Sequence, residues 1–167
     1  MDDSIELRPL VPHDFDAVIA VALSLPDWFN DLGIEQMTVD LHHQRGAVAE
    51  VDGDVVGFVT WFSRDGLGEI GWIAVGSGHH RYGIGTRLLE FAEDSLRSSG
   101  VTLVQVDTLG ESVDYEPYER TRSFYRGTGF RDFKSVMTDN PGMPETLTLR
   151  KSLLQSPGDS RSADRYA

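Results

Sequence analysis

The run His80-Arg81-Tyr82-Gly83-Ile84-Gly85-Thr86 holds the residues best suited to chemistry in this chain. It follows the apolar stretch Ile73-Ala74-Val75 and opens a segment whose apolar residues Leu88, Leu89, Phe91, Ala92 and Leu96 recur at helical spacing. Free backbone N–H groups point out of a helix N-terminus, and the helix dipole adds partial positive charge there. A strand that runs through a glycine loop into such a terminus is an anion site. Glycines at 83 and 85 let phosphate oxygens approach the backbone with no Cβ in the way. Thr86 adds a hydroxyl donor and Arg81 a charge. The Gly-Lys-Ser/Thr ending of a nucleoside-triphosphate loop is absent. The dinucleotide pattern Gly-x-Gly-x-x-Gly is not completed, because Leu88 stands at its third glycine. The loop by itself does not choose among phosphate ligands.

Glu69 is the best-placed carboxylate. It lies six residues before Val75, so unbroken strand alternation puts both side chains on one face. Burial near Trp61 or Trp72 would raise its pKa and suit it to accept a proton. Asp107 and Glu116 are weaker candidates for that task. Trp28, Phe29 and Asn30, flanked by Asp27 and Asp31, combine aromatic walls with carboxylates and suit a cationic amine. The same aromatics would also serve as core. The histidine pairs at 42–43 and 79–80 are adjacent. They lack the i, i+4 spacing that aims two ligands at one metal. With no cysteine in the chain, no metal site is expected.

These groups need a scaffold, and the pattern supplies one. A short alternating strand at 5–8 is followed by an amphipathic helix opened by Pro12 and Asp14 and stopped by Pro26. Residues 28–33 read as loop, and a weaker helix is expected over 34–43. Strands at 47–51, 55–62 and 69–75 are separated by the turn signals Asp52-Gly53-Asp54 and Asp65-Gly66, which makes an antiparallel meander. A helix over 83–98 ends at Gly100. A β-branched strand follows at 101–107, then a polar loop and a helix over 117–126. The last strands are expected at 130–138 and 146–149. Residues 1–155 form one domain, and the polar stretch 156–167 is expected to be a disordered tail.

The net charge of −12 comes from 27 acidic and 15 basic residues. Such a surface repels phosphate backbones and attracts cations, so nucleic acid is excluded as a partner and an amine is favoured. No apolar run approaches the roughly 20 residues that a membrane span needs. No secretory leader is visible, and a cytoplasmic location is expected.

The loop at 80–86 resembles the pyrophosphate loop Arg/Gln-x-x-Gly-x-Gly/Ala of the GNAT family, the GCN5-related N-acetyltransferases. His80 stands at the Arg/Gln position. A second match lies downstream, where Phe124-Tyr125-Arg126-Gly127-Thr128-Gly129-Phe130 resembles that family's helix ending in Tyr-x-x-x-Gly-Phe. The resemblance covers nearly the whole chain. It implies an α/β (α+β) fold with a mixed, mostly antiparallel sheet of six to seven strands. A central parallel pair splays apart, and about four helices flank the sheet. It implies acetyl-CoA as co-substrate and an amine as acceptor. Tyr125 would protonate the departing thiolate, and Glu69 matches the base glutamate of the histone-acetylating branch. Residues 73–75 would supply the oxyanion donor, near Val75 with Ala74 as the neighbouring choice, and would pair with pantetheine. The backbone from Arg81 to Thr86 would hold the pyrophosphate. Tyr118 and Thr121 stand seven and four residues before Tyr125, where the family often carries Asn and Ala, and are the candidate CoA contacts there. Homodimers are common among similar proteins. A catalytically silent acyl-CoA-binding module would keep the Gly83–Gly85 cradle and need neither Tyr125 nor a base.

Overall fold

A computed structural model describes residues 4–80 and 82–154 of the chain. Arg81 and the expected tail at 156–167 fall outside the described residues. Seven strands form one sheet in the order β1-β2-β3-β4-β5-β7-β6. They are β1 Ile5–Pro9, β2 Arg45–Val51, β3 Asp54–Arg64, β4 Leu67–Val75, β5 Leu103–Leu109, β6 Arg131–Met137 and β7 Glu145–Ser152. Four helices accompany them: α1 Phe15–Leu23, α2 Asp31–Asp40, α3 Ile84–Ser98 and α4 Glu116–Gly127. Every neighbouring pair of strands is antiparallel except β4 and β5, which run parallel. None of these helices is long and apolar enough to cross a membrane.

Two apolar layers cover the sheet. Leu88, Leu89, Ala92 and Leu96 of α3 pack on Ala47, Val59, Ile70 and Val104. On the opposite face Val18 and Ala22 of α1 and Met37 of α2 pack on Val48, Phe58 and Ala74. Each large side chain so buried contributes about 2 kcal/mol.

The ends of α3 and α4 share one device. The Val101 N–H reaches the Leu96 carbonyl and the Gly100 N–H reaches that of Arg97, with Gly100 at φ +83°. In α4 the Phe130 N–H reaches the Tyr125 carbonyl and the Gly129 N–H that of Arg126, with Gly129 at φ +106°. Both are Schellman caps, in which a left-handed residue closes the last turn. The spacing Tyr-x-x-x-Gly-Phe is therefore a capping pattern, sealed by the edge-on contact of the Tyr125 and Phe130 rings at 5.6 Å. Val101 is part of the α3 cap, which is why β5 begins at Leu103 and not at 101.

The second helix also departs from expectation. It starts at Asp31, three residues before Ile34, because the Asn30 side chain accepts the Gly33 N–H at 2.7 Å and caps it. An asparagine N-cap outweighs the glycine in the first turn that reads as loop.

Candidate active site

The site grows out of the β4–β5 pair. Parallel pairing covers only Leu67–Glu69 against Leu103–Gln105. Beyond Glu69 the strands diverge. A bulge in β4 accompanies the divergence: Val59 faces Ile73 and Trp61 faces Ile70, so Gly71 and Trp72 together oppose Thr60. The Thr60 hydroxyl accepts the Trp72 N–H at 2.9 Å and donates to Gln44 at 2.7 Å. A Cβ on Gly71 would overlap the Gln44 and Thr60 side chains, so glycine is the residue that fits there without displacing them. A bulge adds twist and bends its strand, which opens the gap.

The bulge also resets the alternation. Ile70, Ile73 and Val75 all face the α3 layer, whereas Trp72 and Ala74 face α1 and α2. Glu69, next to Ile70, therefore shares the α1–α2 face with Trp72 and Ala74, and Val75 is on the other. The one-face relation between Glu69 and Val75 does not hold, because alternation over six residues assumes a strand with no insertion.

Backbone polarity in the gap follows from the ladder. The Gly76 N–H bonds to Val56 across β3 at 2.8 Å, and the Ala74 carbonyl lies 3.0 Å from where a Cβ on Gly57 would sit. Alternate residues of an antiparallel strand turn their amides to opposite sides. Ile73 and Val75 thus aim N–H and C=O away from β3 and into the gap, and Ala74 does not. The His80 ring lies 2.6 Å from the Val75 carbonyl oxygen through Nε2. His80 thereby ties down the strand end.

A cavity of about 490 Å³ occupies the gap. Ile73, Ala74, Val75, His80, Gly83, Ile84, Gly85, Thr86, Tyr118, Thr121 and Tyr125 all line it. At one end Gly83 takes φ +73° and starts α3. Among the described residues, the Arg87 N–H is the first in the helix to find a carbonyl, that of Gly83. The amides of Ile84, Gly85 and Thr86 are left pointing outward, the geometry of an anion cradle. Tyr82 is exposed and does not line the cavity.

Tyr125 is buried, and burial raises its phenol above the ordinary tyrosine range, with Tyr118 adding to the effect. Glu69 does not line the cavity. Burial and then the neighbouring Asp107 charge push it above the usual carboxylate range, opposed by a 3.4 Å hydrogen bond from Gln105 and by Arg64. Asp107 is the one carboxylate among the described residues that lines the cavity, and Thr148 donates to it at 2.6 Å. Among the described residues no group of three or more His, Cys, Asp or Glu could hold a metal ion.

The aromatic segment serves as both wall and core. Trp28 and Phe29 line the cavity, and Phe29 also packs against Trp72 at 5.9 Å. The Trp28 indole N–H donates to the Pro117 carbonyl and to Thr121, each at 3.1 Å. The Tyr118 hydroxyl donates back to the Trp28 carbonyl at 3.1 Å. Tyr118 and Thr121 thus clasp the α1–α2 connection onto α4 and roof the gap. The Arg120 guanidinium lies 5.5 Å from the centre of the Trp28 ring. Asp27 and Asp31 do not line the cavity: Asp27 borders a smaller recess beside it, and Asp31 sits in the first turn of α2. Trp72, expected only as a neighbour of Glu69, also lines the cavity, as do Met143 and Thr108, which sequence reasoning passed over. Only Thr108 left a local signal, as the strand neighbour of Asp107.

The Acetyltransferase (GNAT) family model matches residues 17–130, more than half of the chain. No curated protein matches. Solved structures do. A protein from Desulfovibrio desulfuricans described as a GNAT-family acetyltransferase is 22% identical, with a TM-score of 0.78 over 90% of this chain and 100% of that one. The ribosomal-protein-S18-alanine N-acetyltransferase of Escherichia coli is 13% identical, with a TM-score of 0.74 over 92% and 96%. The PaiA N-acetyltransferase of Thermoplasma acidophilum, solved with coenzyme A, is 18% identical, with a TM-score of 0.67 over 89% and 99%. At these identities the likeness is one of fold.

Proposed function

The chain belongs to the acetyltransferase (GNAT) family, and on that premise we propose that it moves an acetyl group from acetyl-CoA to a primary amine by direct attack through a tetrahedral intermediate. One observation carries this reading. A single cavity joins the cradle at the start of α3, the gap-facing amide of Val75, the buried Tyr125 phenol and the Asp107 carboxylate. Those are an anion holder, an oxyanion donor, an acid and an ammonium partner, in one continuous space.

The amides of Ile84, Gly85 and Thr86 hold the pyrophosphate, with no Cβ at Gly83 or Gly85 to block it. The gap-facing N–H and C=O of Ile73 pair with the pantetheine arm as an added strand would. The Val75 N–H stabilises the oxyanion as the amine attacks. Tyr125 gives its proton to the leaving sulfur, and its raised pKa keeps it protonated at neutral pH. Asp107 meets the incoming ammonium inside the cavity. Glu69, beside Asp107 on the α1–α2 face but outside the cavity lining, takes the proton that the amine must lose by way of a bridging water.

The decisive experiment mixes the protein and acetyl-CoA with a panel of small amines, amino acids and peptides, and follows free thiol. Thiol release with at least one amine is expected. Tight binding of acetyl-CoA with no release across the panel would mark an acyl-CoA-binding module instead. The base is tested separately. Glu69 must be deprotonated to work, so kcat/KM for the amine should fall as pH drops through its raised pKa. Glu69→Gln should lower kcat/KM about 10- to 100-fold and abolish that acid limb, whereas Asp107→Asn should chiefly raise the KM of the amine. An unaltered pH profile in Glu69→Gln would remove Glu69 from the mechanism.

A further inference from the structure

Thr108 is 2% exposed, and its hydroxyl has no hydrogen-bond partner among the described residues. The buried threonines and charged side chains elsewhere are matched. Thr60 is bonded to Gln44, Thr148 to Asp107, Asp14 to Arg8, Glu93 to Lys151 and Arg122 to the Leu109 carbonyl. An unpaired buried hydroxyl costs stability, and valine would fill the same space without that cost. Thr108 nevertheless lines the cavity.

The register of β5 says which side of the cavity it faces. Cross-strand partners share a face. Asp107 pairs with Thr148 and takes its hydrogen bond, on the α1–α2 side with Glu69. Thr108 pairs with Leu147, which belongs to the α3 layer together with Ile84 and Tyr125. The α3 side carries the anion cradle and the phenol, so it is the donor side. Asp107 and Thr108 are adjacent residues that face opposite sides of the cavity.

We propose that the Thr108 hydroxyl is a binding group for the acyl-CoA, completing its hydrogen bonding on a polar atom at the amide–thioester end of the pantetheine arm. The inference rests on the acetyl-CoA reading of the cavity. It adds a contact that neither the glycine loop nor the Tyr125 motif contains. The ligand class follows from the position: Thr108 is on the wall that carries Tyr125, on a strand away from the α3 cradle, where the arm and its amides must pass to bring the sulfur to Tyr125.

The test compares Thr108→Val and Thr108→Ser with the wild type by calorimetric titration of CoA, acetyl-CoA and adenosine 3′,5′-bisphosphate, which lacks the arm. Thr108→Val should weaken CoA and acetyl-CoA about 3- to 10-fold, from the loss of one hydrogen bond. It should leave the bisphosphate unchanged and raise Tm by about 2–4 °C, since a buried unpaired group is gone. Thr108→Ser should bind CoA within about twofold of wild type. Wild-type CoA affinity in Thr108→Val would overturn the proposal, because the hydroxyl would then hold nothing of the ligand. A lowered Tm, or an equal loss for CoA and the bisphosphate, would also overturn it by pointing to a structural role. A wild-type protein that binds no CoA fails at an earlier step and removes the acetyl-CoA reading itself.

Discussion

Tyr125→Phe is expected to lower kcat about a hundredfold while acetyl-CoA affinity stays within about twofold. The phenol has no hydrogen bond to the described residues that it would lose. Its ring sits against Phe124 at 5.4 Å and Phe130 at 5.6 Å, and phenylalanine keeps both contacts. The backbone role is also kept, because it is the Tyr125 carbonyl that accepts the Phe130 N–H at 3.0 Å and the Thr128 hydroxyl at 2.9 Å. Thermal stability should therefore hardly move, and a fall in kcat reports the lost proton donor alone. Burial holds the phenol protonated above the ordinary tyrosine range. Any alkaline loss of activity below that range must then come from another group. Steady-state kinetics together with a melting curve decide the matter, and an unchanged kcat would take Tyr125 out of the chemistry.

Gly85→Asp should separate what the helix wants from what the ligand wants. Gly85 is the second residue of α3, and a Cβ there first meets the Phe124 ring at 3.4 Å, an ordinary contact. An acidic side chain in the first turn is favourable to the helix dipole, so Tm should stay level or rise slightly. The same carboxylate stands among the amides that would hold pyrophosphate. Two like charges about 4 Å apart repel by about 4 kcal/mol at an effective dielectric constant near 20. Affinity for CoA should fall at least a hundredfold, as read by calorimetry, with no loss of fold. Gly85→Ala serves as the milder companion and isolates the effect of the Cβ. Wild-type affinity in Gly85→Asp would place the phosphates elsewhere.

Much of the fold is legible along the chain because its signals are local. Asp52-Gly53 and Asp65-Gly66 set the two hairpins, and both aspartates take positive φ, as such turns require. Gly100 and Gly129 stop their helices through caps that span six residues. The strand, glycine loop and helix that form the anion cradle are contiguous, so the order of residues 73–86 already contains their geometry. Tyr125 is legible for the same reason: it is the first residue of the six-residue cap that ends in Gly129-Phe130.

The site needed more. Whether Glu69 faces the reacting atoms depends on one extra residue in β4, and that insertion depends on Thr60 and Gln44, which lie on other segments. Tyr118 and Thr121 are spaced as ligand contacts, yet they also hold Trp28, about 90 residues away. Asp107 and Thr108 are sorted to opposite sides of the cavity by their β7 partners, not by their own neighbours. By itself the sequence determined the two hairpins, the helix caps and the strand–glycine loop–helix unit at 73–86, because turns, caps and glycine conformations are decided within a few residues, whereas the placement of β7 between β5 and β6 was not legible. Only the tertiary structure decided which carboxylate lines the cavity, which amides face the gap and which buried hydroxyl is left without a partner. Those properties belong to the space where β4 and β5 fail to pair, and an unpaired space has no local code.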